Sequence, residues 1–101
     1  MMMRQGDLLI VRVNNIPEGA EKQDHRVLAE GEATGHMHEL DSGTLYEKDG
    51  TLYFSVTEKE KKSTLNHQEH AALTFAPGKY KVIRQREYSP ENWDSWRYVS
   101  D

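Results

Sequence analysis

The sequence predicts an all-β domain, a small β-barrel or sandwich of six to eight short, mainly antiparallel strands. Three observations carry that prediction. The apolar residues fall in short runs, too brief for helices and rich in β-branched and aromatic side chains. Turn formers punctuate these runs at close intervals. Asp49-Gly50, set between two alternating runs, is a hairpin signal because both residues tolerate positive φ. At 101 residues the chain is expected to be one domain over residues 1–101, with room for a single core and a single site.

The elements follow in order. Residues 1–4 are expected to be a loose leader. Asp7 to Val13 reads as the first strand, and its apolar residues on both faces up to Ile10 suit a strand covered from two sides. Asn14 to Gly19 ends it with turn formers, and Ala20 to His25 is expected to be loop. Arg26 to Glu32 is the next strand, with a bulge or close backbone approach expected at Gly31. His36 to Leu40 follows Ala33-Thr34-Gly35. Thr44 to Lys48 and Thr51 to Thr57 form the hairpin around Asp49-Gly50. Its two-residue loop sets Leu45 opposite Phe54 and Tyr46 opposite Tyr53, with Leu45, Leu52, Phe54 and Val56 on the core face. Glu58 to Lys62 is a solvated loop or one exposed turn. Ala71 to Phe75 resumes a strand, Pro77-Gly78 fits the centre of a type II turn, and Lys79 to Tyr88 is the last strand. Residues 89–101 break the pattern at Pro90, and Trp93, Trp96 and Tyr98 are expected to dock that tail on the body.

Composition narrows the chemistry. Thirteen Lys and Arg against 17 Asp and Glu give a net charge of −4, which opposes non-specific nucleic-acid binding. The absence of cysteine excludes disulfides, thiolate nucleophiles, zinc ribbons and iron–sulfur clusters. No nucleotide or flavin motif occurs, and no Gly-x-Ser-x-Gly elbow. No apolar run approaches the roughly 18 residues of a membrane helix, and no signal-like leader precedes the first strand. A cytoplasmic protein without membrane contact is expected.

Four of the five histidines fall in two motifs, His36-Met37-His38 and His67-Gln68-Glu69-His70. On a strand the first pair projects from one face; in a tight turn the second pair converges. If Met37 points to the core, His36 and His38 face water; if Leu40 does, they face inward. Imidazole is a common metal ligand, and two converging pairs supply three or four donors for zinc, iron, manganese or nickel. Glu30, Glu32, Glu39 and Glu69 are candidates for a further ligand, an orienting partner or a base. The two motifs must lie within about 12 Å to share one ion, because ligand bonds are near 2 Å. A His-x-His pair can also complete a site across a homodimer interface. A His-x-His after glycine is shared with the cupins. The rest of the cupin pattern is missing here: Ser42-Gly43 stand where its glutamate would, and no histidine follows Pro77-Gly78.

A second surface competes with the histidines. Alternation along the last strand puts Tyr80, Val82, Arg84, Arg86 and Tyr88 on one face. Arg84 and Arg86 are suited to phosphate, carboxylate or stacked bases, or to pairing with neighbouring acids. With Tyr46 and Tyr53 they form the expected working face of a non-enzymatic protein-interaction module. Nucleic-acid contact through Arg84 and Arg86 ranks below it.

Several segments together resemble one family. These are Gln5-Gly6-Asp7, Leu28 to Gly35 with His36-x-His38, His67-x-Glu69-His70, and Pro77-Gly78-x-Tyr80-x-Val82-x-Arg84-Gln85-Arg86-Glu87-Tyr88. They are similar to a small family of uncharacterised bacterial and phage proteins, over about residues 5–88. The resemblance implies a bacterial or phage accessory protein and supplies no activity. The leading expectation is a transition-metal-binding β-domain using His36, His38, His67 and His70, with the interaction module as alternative and catalysis left open.

Overall fold

The computed structural model describes residues 2–30 and 36–84, and these contain ten strands and no helix. The strands are β1 (Met2–Gln5), β2 (Leu8–Val13), β3 (Glu21–Lys22), β4 (Val27–Glu30), β5 (Met37–Leu40), β6 (Thr44–Lys48), β7 (Thr51–Val56), β8 (Ser63–Asn66), β9 (Leu73–Phe75) and β10 (Gly78–Arg84). They form two antiparallel sheets, one ordered β1-β2-β10-β7-β6-β3 and the other β4-β5-β8-β9. The arrangement is a sandwich, not a closed barrel. No helix of the described residues is long and apolar enough to cross a membrane, which leaves membrane-crossing strands unaddressed.

Local sequence accounts for most elements. Asp49 and Gly50 take φ of 51° and 81°, the double positive φ that a two-residue hairpin turn requires. The resulting register pairs Leu45 with Phe54 and Tyr46 with Tyr53, as alternation predicted. Gly6 takes φ of 59° in the other two-residue loop, Gly6-Asp7, which turns β1 into β2. Leu8, Leu9 and Ile10 are all buried, consistent with a strand covered on both faces.

The core lies between the sheets. Phe54 and Tyr80 come from the six-stranded sheet and Phe75 from the four-stranded one, with ring centroids 4.9, 5.1 and 5.3 Å apart and all three side chains fully buried. Edge-to-face and offset contacts at such distances add about 1 kcal/mol per pair beyond the area buried. The Tyr80 hydroxyl donates to the Ala76 carbonyl at 2.6 Å, satisfying its one polar atom; burial pushes its pKa up.

Four expectations need correction. Ten strands among the described residues replace the six to eight expected, because β1, β3 and β8 add to the seven runs read as strands. Met2–Gln5 is a strand rather than a loose leader, since the Gly6-Asp7 loop returns the chain beside β2. Glu21–Lys22 pairs with Glu47 and Tyr46 as a short edge strand, too polar and brief to stand out in sequence. Gly78 has φ of 158°, far from the roughly +80° of a type II turn. The Pro77-Gly78 step passes instead between sheets, with Arg12 Nη2 donating to the Pro77 carbonyl at 3.0 Å. In β4 the register shifts between Val27 and Ala29. Gly31, the expected bulge, and the tail over 89–101 lie outside the described residues.

Candidate metal site

The two histidine motifs meet. On β5, Leu40 is buried and Met37 is half-buried, so the inward face carries His38, which is 3% exposed. His36 lies just before the strand. His67 to His70 form the connection between β8 and β9, and the backbone N–H of Met37 donates to Gln68 Oε1 at 3.0 Å. That bond fixes the connection against β5. His38 and His67 have ring centroids 4.3 Å apart, His67 and His70 4.7 Å, His36 and His67 5.6 Å, and His38 and His70 6.2 Å. All are far inside the roughly 12 Å within which one ion can use both motifs.

A tripeptide from the other sheet closes the cluster. Gln5, 2% exposed, donates through Nε2 to the carbonyls of Leu65 and Ala71, both at 2.9 Å. Two acceptors on one side fix the amide orientation, so Oε1 must be the atom facing His38 Nδ1 at 2.8 Å. Nδ1 therefore carries a proton toward Gln5 Oε1. Gly6 lies against the rings: a Cβ there would stand 3.0 Å from His70 Nε2 and 3.2 Å from His38 Cε1. Asp7 Oδ1 is 3.9 Å from His38 Nε2, and its Oδ2 is 3.9 Å from Arg84 Nη2.

His67 is held toward its neutral form. Burial, then the neighbouring His70 and His36, lower the pKa of His67. Its Nδ1 accepts from the Glu69 backbone N–H at 3.0 Å. Among the described residues, no three donor groups stand ready in ligating geometry, and the His38 and His70 rings are nearly parallel at 12°.

The remaining candidates are dispersed. Glu69 Oε1 lies 3.7 Å from His36 Nδ1, at the solvent side of the cluster. Glu39 does not support it: alternation turns this exposed side chain to the other face of β5, toward a cleft that includes Lys22 and Arg26. Glu30 is exposed at the end of β4, opposite Met37. Arg84 faces Asp7 and so belongs to the histidine neighbourhood. Tyr46 and Tyr53 oppose each other on β6 and β7, both half-buried. Glu32 and Arg86 lie outside the described residues. Sequence reasoning gave Gln5, Gly6 and Asp7 no role at the site. Their only local signal is a polar glycine turn opening a strand, which says nothing about a partner 33 residues away.

Comparison with protein-family models matches residues 4–85 to the Domain of unknown function (DUF8820). No match was found among curated proteins or among solved structures.

Proposed function

Since the chain belongs to that family, whose description carries no activity, we propose from the site alone that the protein binds a transition-metal ion through His38, His67 and His70, with His36 adjoining. The observation that supports this is the spacing of the rings. Two imidazoles bound at about 2.0–2.1 Å to one tetrahedral ion hold their centroids about 5 Å apart. The three pairs among His38, His67 and His70, at 4.3, 4.7 and 6.2 Å, bracket that value. The Gln5–His38 hydrogen bond adds the outer-shell orientation that ligating histidines ordinarily have. A thiol-free set of imidazoles suits zinc, iron, manganese or nickel. A cytoplasmic bacterial or phage accessory role belongs to the same reading and rests on motif resemblance and composition.

The test is elemental analysis and calorimetry on chelator-stripped protein offered each metal. About one ion per chain is expected, lost in His38→Ala and His67→Ala and weakened less in His36→Ala, whose ring is 24% exposed at the rim. Occupancy below a few per cent for every metal would overturn the proposal.

A further inference from the structure

We propose that the outer face of the six-stranded sheet binds single-stranded nucleic acid, independently of the histidine cluster. Its basis is the way alternation sorts charge between the two faces. Leu45, Phe54 and Tyr80 are paired in register and point into the core. Their neighbours along β6, β7 and β10 therefore point out, and register carries that outer face across all six strands. Its charged residues are Arg4, Lys22, Lys48, Lys79 and Lys81, all basic. Glu21 and Glu47, the acids on these strands, oppose each other in register and alternate to the inner side. A net charge of −4 for the whole chain thus coexists with one face whose strand charges are all positive.

One row of this face is ordered Lys22, Tyr46, Tyr53, Lys81, each residue the register partner of the next. At a strand spacing of about 4.8 Å the row is about 14 Å long. Two aromatic side chains thus lie between two ammonium groups, and Lys79 is the next outward position along β10 from Lys81. Sequence-tolerant single-strand binders combine the same two parts, since every base has a π-face to stack and every phosphate a charge to meet. Among the described residues, no ion pair engages Lys22, Lys79 or Lys81. Lys22 and Lys79 are exposed, while Tyr46, Tyr53 and Lys81 are half-buried. The connection over residues 14–20 reaches the face at Lys48, where a Cβ on Gly19 would stand 2.9 Å from Nζ, and marks its border. A duplex hides its base faces, so the tyrosines favour a single strand.

The test is fluorescence anisotropy with labelled oligothymidylate and oligouridylate of about 15 nucleotides, using the full chain with chelator present. Affinity should fall with salt at a log–log slope of about −2, near −0.7 for each of three lysines. Lys79→Glu with Lys81→Glu should weaken binding at least about 30-fold. Lys59→Glu with Lys62→Glu makes the same change in net charge in the exposed β7–β8 connection, and should weaken it less than about threefold. Tyr46→Ala with Tyr53→Ala should weaken binding about 10-fold or more and leave the salt slope unchanged. Circular dichroism checks the fold of each variant. In the unaltered chain the Tyr46 and Tyr53 ring signals should shift on adding oligonucleotide, a readout that needs no variant. Three results would overturn the inference. One is no binding of either oligonucleotide at about 20 mM salt. Another is equal weakening by both charge-reversed pairs with unmoved tyrosine signals, which would leave only diffuse attraction. The third is capture by phosphatidylserine vesicles without oligonucleotide binding, which would assign the face to a lipid surface.

Discussion

Gln5 and His38 stand in different sheets, 33 residues apart, and are joined by a 2.8 Å hydrogen bond from Nδ1 to Oε1. The same Gln5 amide donates to the backbone on either side of the His67–His70 connection. One buried side chain therefore sets a histidine tautomer and ties the sheets together.

Gln5→Met removes both roles while keeping bulk. It should leave two carbonyls and His38 Nδ1 unsatisfied, lowering stability by about 3 kcal/mol in urea melts. Metal affinity should fall about 10- to 100-fold by calorimetry. Two-dimensional 15N spectra should show His38 as the Nδ1–H tautomer in the parent, with a mixture in the variant.

Two glycines in two-residue loops separate backbone strain from steric clash. Gly6 and Gly50 both have positive φ, but only a Cβ at Gly6 would meet histidine atoms; one at Gly50 meets nothing within 4 Å. Each alanine substitution should cost about 1–2 kcal/mol from the left-handed backbone alone. Only Gly6→Ala should also weaken metal binding. Equal metal affinity in the two variants, measured beside their melting curves, would contradict the close approach of the Gly6 turn to the rings.

Glu60 supplies a pH dependence away from the histidines. Its carboxylate accepts from Thr57 N–H and Oγ1 and from Gly43 N–H, at 2.8, 2.9 and 2.8 Å. Those bonds, led by the Thr57 backbone, hold its pKa below the ordinary 4.5. The folded state thus binds this proton less readily than the unfolded chain does. Its contribution is complete above the unfolded value and is lost as pH falls through the folded one. Glu60→Gln should cost about 1 kcal/mol at neutral pH, and the two stability curves should converge in acid.

Phe75 carries the four-stranded sheet's share of the aromatic trio. Phe75→Ala should destabilise by about 3–5 kcal/mol in denaturant melts, and Phe75→Leu by about 1–2 kcal/mol, since leucine refills most of the space. Tyr46→Ala with Tyr53→Ala, a cross-strand pair on the outer side of the hairpin, should cost about 1 kcal/mol at most.

What sequence made legible was local. Asp49-Gly50 gave a turn, a register and a core face together, because all three depend on residues within a few positions. The direction of His38 needed one fact from outside: whether Leu40 or Met37 meets the other sheet, which depends on strand partners far along the chain. Gln5 was out of reach for the same reason, since it meets His38 only after the sheets have stacked, whereas Arg84 was named in sequence and only its acidic neighbour, Asp7, was not. Glu60 sat inside a charge run, where nothing but the hydrogen bonds distinguishes it from its neighbours.

The Gln5 staple also bears on the order of assembly. Its partners lie 33, 60 and 66 residues downstream, so the pocket exists only after β1 has docked against the four-stranded sheet. On the proposed reading, a half-formed chain would offer loose imidazoles to an ion, and the finished one the gathered cluster. An ion that prefers the finished set shifts the folding equilibrium by mass action, about 2.7 kcal/mol at a free concentration one hundred times its Kd. Metal supply would then bear on how much of the chain stands folded, if the proposed site is occupied.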